Sequence, residues 1–307
     1  MSVDFQNVDF QNVELRDKVA IVTGAGNGIG RAEALSLAAS GACVVVNDVG
    51  LAAAAGVVGE IEAAGGRAVA AAGDVSEWKV TGDLVAEAVR SFGRLDIVVS
   101  NAGIVRRSPI AAVTEKDLDD QVAVLFKGTF GLIRNAAAYW QGEHAAGNRS
   151  HRTIVATSSS AGVPGGVQEF SVYGAMKAGI AALALGAALE FRGFGVTVNA
   201  ILPHAATAMD AAAKGLPDPG AFGSADPSPE NPHHVANVVR YLASERAAWL
   251  SGQVFEITGT VIRRWLPWSP GAEASSAAPW TSAALDVAMA TEIYGTLPGG
   301  RVIPIKR

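Results

Sequence analysis

Tyr173 and Lys177 stand four residues apart in Tyr173-Gly174-Ala175-Met176-Lys177, at the start of a helix-like stretch, so their side chains share one helix face. An ammonium then sits beside a phenol. A free phenol, with a pKa of about 10, is a poor base at neutral pH, but a nearby cation favours the phenolate and suits it to exchange a proton with an alcohol oxygen. The same spacing also occurs on solvated helix faces, so the pair gains meaning only from its surroundings.

Thr23-Gly24-Ala25-Gly26-Asn27-Gly28-Ile29-Gly30 lies between an apolar run and a helix-like run that begins at Arg31. Glycines let the backbone turn tightly and approach a pyrophosphate, whose charge the N–H groups at a helix start favour. The spacing of Gly24, Gly28 and Gly30 departs from the ordinary G-x-G-x-x-G pattern. Asp48 follows at the end of the second apolar run, where a carboxylate can accept from the adenosine ribose hydroxyls and repel a 2′-phosphate. With Asn at position 27 and no basic residue close behind Asp48, NAD is expected rather than NADP. Its positive nicotinamide ring would further favour phenolate at Tyr173. Asp48 also reads as an ordinary strand-end turn residue.

The elements that must position these groups alternate along the chain. Short β-rich runs at Val19 to Val22, Cys43 to Asn47, Ala68 to Ala71, Ile97 to Ser100, Ile154 to Thr157, Val196 to Ile201 and Val254 to Ile257 are separated by helix-like stretches. The runs are continuously apolar, as strands buried on both faces are. The expectation is one α/β domain, a doubly wound seven-stranded parallel sheet of Rossmann type, over residues 14–262. Ligands bind such sheets at the carboxyl ends of the strands. Residues 204–232, rich in Pro, Gly, Ala and Asp, read as a substrate lid. Residues 1–13 repeat Val-Asp-Phe-Gln-Asn and read as a flexible extension. Residues 263–307, with Trp265, Trp268 and Trp280, read as a second extension packing on the core or a neighbouring subunit.

From about Lys18 to Gly259 the chain resembles the short-chain dehydrogenase/reductase family, with its motifs in order: Thr23-Gly24 through Gly30, Asp74-Val75, Ser100-Asn101-Ala102-Gly103, Ser158-Ser159, Tyr173 with Lys177, and Asn199 through Pro203. The resemblance implies that Tyr173 is the acid/base and that Lys177 holds the nicotinamide ribose and lowers the tyrosine pKa. A serine would hydrogen-bond the substrate oxygen. It implies that Asp74 and Val75 meet the adenine and that Asn101, Ala102 and Gly103 line the cofactor floor. Matching Ser-x-Ala-Gly selects Ser159, the preferred serine, whereas counting back from Tyr173 selects Ser160, because one residue looks inserted around Gly165 to Phe170. Leu125 stands where the family usually places an Asn that fixes a relay water, and leucine offers no hydrogen bond. Within the family the chain resembles the dehydrogenase units of multifunctional enzyme type 2 and actinobacterial 17β-hydroxysteroid or 3-hydroxyacyl-CoA dehydrogenases. Thr207 would then hold the nicotinamide carboxamide, and it also reads as a helix N-cap.

The expected substrate is a hydrophobic hydroxysteroid or a 3-hydroxyacyl-CoA, with a smaller cyclic or aryl alcohol or a weakly active NAD-binding scaffold as alternatives. Arg106-Arg107 after the fourth strand could meet CoA phosphates or be a solvated loop pair, whereas the acidic lid residues favour a sterol-sized ketone. With 29 acidic and 24 basic residues and no Lys/Arg block, nothing suggests a phosphate-backbone partner. The single Cys43 sits in a strand-like run and reads as a small core residue, in keeping with a reducing cytoplasm. His204, His233 and His234 lack a convincing metal-ligand spacing, so no metal is expected. The stretch from Ala178 to Leu189 reads as too short to cross a membrane. Apolar on nearly every side, the helix from Tyr173 to Phe191 suggests a homodimer or homotetramer.

Overall fold

Val19–Val22 buries all four of its side chains and so has no polar face to offer water, which suits it to the centre of a parallel sheet covered on both sides. A computed structural model describes residues 14–207, 211, 222–223, 226–266 and 270–293. The extension at 1–13, most of the expected lid and residues 267–269 and 294–307 lie outside them, and so do Trp268 and the lid charges Asp210, Lys214 and Asp218.

Strands and helices alternate as β1 (Val19–Val22), α1 (Gly28–Ala39), β2 (Cys43–Asp48), α2 (Leu51–Ala63), β3 (Arg67–Ala72), α3 (Trp78–Phe92) and β4 (Ile97–Ser100). They continue as α4 (Glu115–Gln121), a π-helical turn (Val122–Lys127), α5 (Gly128–Ala145), β5 (Arg152–Thr157), α6 (Ser171–Phe191), β6 (Val196–His204), α7 (His233–Leu242), β7 (Gln253–Thr258) and β8 (Val261–Trp265). The sheet order is β3-β2-β1-β4-β5-β6-β7-β8. The order in which strands are added reverses between the parallel strands β1 and β4, and the crevice above that point is where such folds bind ligands.

Alternate residues of each strand feed two separate cores. Ile21, Val45, Val98, Ile154 and Val198 pack with α3, α5 and α6 on one face, while Ala20, Val22, Val44, Val99 and Ile201 pack with α1, α2 and α7 on the other. Cys43 is buried in the first of these cores.

Two expectations are corrected. The sheet has eight strands, not seven: Val261–Trp265, split in sequence between the domain and the extension, pairs antiparallel with β7. Its side chains are largely exposed, so no continuous apolar run marks it. The first compact unit runs to Trp265, and the following unit includes a short helix, α8 (Ser282–Ala288), started by the Thr281 hydroxyl accepting from Ala284 N. Helix α6 is the second case, since with the turn through Phe194 it is long and apolar enough to span a bilayer by length and composition. It packs instead against β5 and β6 and carries a buried lysine, as the core helix of a globular domain does.

Glu33 of α1 is fully buried, neither of its carboxyl oxygens has a hydrogen-bond partner among the described residues, and burial pushes its pKa up to about 8. The folded chain therefore holds a proton that the unfolded chain releases near its ordinary value of 4.5. This contribution to stability is complete below that value and is lost as pH rises toward the folded pKa, a difference of the order of 5 kcal/mol. Glu33→Gln keeps the shape but cannot ionise. Denaturant titrations at about pH 5 and about pH 8 should show a drop of several kcal/mol in wild type that the variant lacks. Equal drops in the two proteins would disprove a buried neutral carboxyl.

Candidate active site

The glycine turn joins β1 to α1 at the switch point. Gly24 has φ +61°, a region L side chains rarely adopt, and a Cβ there would lie 2.8 Å from the Ala102 Cα. Gly30 is equally constrained, because its Cβ would strike the Gly24 carbonyl and the Asn101 side chain. Thr23 fastens this turn to the end of β4: its buried hydroxyl accepts from both Asn101 N and Ala102 N at 3.1 Å, while Asn101 Nδ2 donates to Thr23 O at 3.0 Å. Among the described residues no side chain caps the start of α1, and its first turn holds no acidic residue, so Gly28, Ile29 and Gly30 begin a helix suited to an anion.

Asp48, at the end of β2, accepts from Gly26 N through Oδ2 at 3.0 Å and from Gly50 N through Oδ1 at 3.1 Å. It is thus a strand-end turn residue and also a carboxylate held against the glycine turn. Asp74 follows β3, half-buried, and accepts from Ser76 N at 2.8 Å, with Val75 buried behind it. Thr207 arrives from far along the chain. A Cβ on Gly28 would lie 3.2 Å from its Cγ2, and its carbonyl accepts from Ala211 N at 2.9 Å, a one-turn backbone bond in keeping with a cap position. These groups fit a dinucleotide: a cradle that side chains would fill, an uncapped helix start and a carboxylate at the second strand.

Lys177 lies 3% exposed in α6, and its Nζ donates to Thr157 O at 2.6 Å, 5.7 Å from the centre of the Tyr173 ring. Burial pushes its pKa down to about 8. Leu125, fully buried in the π-helical turn, explains part of that environment. A Cβ on Gly103 would lie 3.1 Å from a Leu125 methyl and 3.8 Å from Lys177 Nζ, so an apolar wall stands close to the ammonium. The π-helical geometry interrupts the regular backbone ladder at this position.

Ser159 and Ser160 are both half-buried just beyond β5. Ser159 Oγ accepts from Ala161 N at 3.1 Å, and a Cβ on Gly174 would lie 2.6 Å from Ala161 O. The serine turn is thus pressed directly onto the first turn of α6, beside Tyr173. Ser158, buried, donates from Oγ to the Lys177 carbonyl at 2.6 Å and ties β5 to the same helix.

Other expected residues take different places. Arg106 and Arg107 each face a carboxylate, with Arg106 Nε 3.8 Å from Asp117 and Arg107 2.8 Å from Glu169. His204 bonds Glu256 at 3.1 Å, and His234 bonds the Ser228 carbonyl at 3.0 Å. Among the described residues no group of three or more His, Cys, Asp or Glu side chains could hold a metal. Sequence reasoning missed the Thr23 clamp, the Thr157 carbonyl and the contact of Phe170 with Tyr173. A backbone acceptor leaves no sequence signal, and the hydroxyl of Thr23, adjacent to the turn, was the one legible clue.

A model of the short chain dehydrogenase family matches residues 18–215. The chain is 47% identical over 253 residues to the hydroxyacyl-CoA dehydrogenase ChsB1 of Mycobacterium tuberculosis, covering 80% of this chain and 78% of that protein. A solved short chain dehydrogenase from Mycobacterium avium shares 41% identity with a TM-score of 0.84, across 94% of this chain and 99% of its own. A 7α-hydroxysteroid dehydrogenase solved with NADH and 7-oxo glycochenodeoxycholic acid shares 27% identity with a TM-score of 0.70, covering 82% of this chain and 97% of its own. With the family model, these relatives and the site agreeing, the chain belongs to the short-chain dehydrogenases, oxidoreductases that act on CH–OH groups.

Proposed function

We propose that this enzyme uses NAD to interconvert a secondary alcohol and a ketone on a hydrophobic hydroxysteroid or 3-hydroxyacyl-CoA, with Tyr173 as the acid/base. The observation that carries the reading is the buried Lys177 ammonium beside the Tyr173 ring, on a sheet whose first turn is closed by glycines that would let a pyrophosphate approach. Bound NAD would supply the hydride acceptor. Gly24, Gly28, Ile29 and Gly30 would hold its pyrophosphate, Asp48 the adenosine ribose, Asp74 and Val75 the adenine, and Asn101, Ala102, Gly103 and Thr207 the nicotinamide half. Asp48 favours NAD because a 2′-phosphate would meet a carboxylate.

During oxidation Tyr173 Oη takes the hydroxyl proton and during reduction it returns one, while Ser159 hydrogen-bonds the same substrate oxygen. Lys177 is cationic below about pH 8, which favours the phenolate it faces. Its ammonium also has hydrogens left for a ribose after donating to Thr157 O. Support for the substrate class comes from the hydroxyacyl-CoA dehydrogenase at 47% identity and from the structure solved with an oxo bile acid. The exposed Leu189 on the outer side of α6 supports assembly into a homodimer or homotetramer.

NADH formation at alkaline pH, followed against hydroxysteroids and 3-hydroxyacyl-CoAs, tests the reading. Turnover should be lost by a factor of roughly 10²–10⁴ in Tyr173→Phe while NADH binding persists. Ser159→Ala should be the more damaging of the two serine variants, and equal activity in Ser159→Ala and Ser160→Ala would remove the serine role. Asp48→Ala should erode the preference for NAD over NADP, and an unchanged preference would overturn the assignment of Asp48. NAD binding with no turnover across the whole panel would mark a scaffold instead of an enzyme. Separately, a monomeric mass at micromolar concentration would contradict the oligomer.

A further inference from the structure

Glu169 is one of two non-glycine residues among those described with positive φ, at +66°, a region an L side chain keeps only where its surroundings hold it there. The surroundings do so twice. Its carbonyl accepts from Ser108 N at 3.0 Å and its carboxylate pairs with Arg107 at 2.8 Å. Both partners belong to the loop leaving β4, whereas Glu169 ends the loop between β5 and α6. The next residue, Phe170, has the Arg107 guanidinium 5.2 Å from its ring centre on one side. On another it meets the Tyr173 ring edge-on, with centres 5.8 Å apart and planes at 72°. Its carbonyl accepts from Gly174 N and starts α6.

We propose that Phe170 is the wall of the substrate cleft beside Tyr173, and that the Arg107–Glu169 pair is the latch that holds it there and selects bulky apolar ketones. Such a substrate has a flat or extended hydrocarbon body that must lie beside the reacting oxygen, and an aromatic ring held by a guanidinium over it and by the Tyr173 ring at 72° gives that body a rigid surface. Arg107 is therefore a positioning residue, engaged by a carboxylate and by the ring rather than held out for a CoA phosphate. Strain at Glu169 is the expected companion of a loop held in one conformation for a ligand. The inference rests on Tyr173 being the reacting hydroxyl.

The test is calorimetric binding, with oxidised NAD present so that no hydride can reach the ketone, of a 3-oxosteroid and of cyclohexanone to wild type, Phe170→Ala, Glu169→Gly and Glu169→Gln, beside turnover of the corresponding alcohols. Glycine is at home at positive φ, so Glu169→Gly opens the latch without strain and keeps a folded protein for comparison. Expected is a roughly tenfold fall in the steroid-over-cyclohexanone affinity ratio for Phe170→Ala and Glu169→Gly. Glu169→Gln, which retains an acceptor for Arg107, should be intermediate, and NAD affinity should hold throughout. An unchanged ratio with intact NAD binding, or no steroid binding to wild type, would overturn the wall. A shifted ratio with no turnover in wild type would keep Phe170 as a binding surface and overturn the proposed activity instead.

Discussion

An ammonium taken out of water is costly unless something compensates it, and in this fold the compensation comes from the end of one strand. Lys177 reaches the carbonyl of Thr157, the last residue of β5, and burial lowers its pKa without expelling it from the site. That contact requires α6 to start close above β5, and the chain achieves this with glycine. Gly162 and Gly174 let the serine turn and the first helical turn touch through their backbones, leaving no room for a Cβ at either position. Ser158 then fastens the same helix from beneath by donating to the Lys177 carbonyl. The position of Tyr173 is a consequence of these contacts, being fixed one helical turn before a lysine that cannot move far.

The half around the glycine turn is built on a comparable economy of backbone. Thr23 uses one hydroxyl to hold the ends of β1 and β4 in register, and the glycine turn closes against Ala102 at a distance no side chain would allow. Leu125 links the two halves. Placed against Gly103 and near Lys177, it makes the surroundings of the ammonium drier than a polar residue would, while the π-helical turn that carries it breaks the regular ladder. The lysine's environment is thereby set by sheet, helix and turn together.

At the far edge of the sheet, β8 adds an antiparallel strand whose side chains face largely outward. Buried Glu256 on β7 joins it to the carboxyl end of β6. Burial alone would raise its pKa, but hydrogen bonds from Arg263 and Trp265 outweigh that and hold it below the usual carboxylate value, and His204 completes the set. The segment that leaves β6 toward Thr207 is thus anchored by residues some fifty positions later in the chain.

Periodicity and glycine spacing were enough to determine a doubly wound sheet, the succession of seven strands along the chain, the glycine turn after the first of them and the one-face relation of Tyr173 and Lys177. Each of these follows from local rules: which residues a buried strand tolerates, where only glycine can turn, and how far apart side chains recur on a helix. The eighth strand escaped because an exposed edge need not be apolar. Arg106 and Arg107 looked available for phosphates because their carboxylate partners lie outside their own loop, and Phe170 gave no signal because its meaning depends on the tyrosine it touches. The Thr157 carbonyl belongs to every residue type alike. Only the tertiary structure decided these points, because a partner brought close by folding leaves no mark on the spacing of the residue it meets.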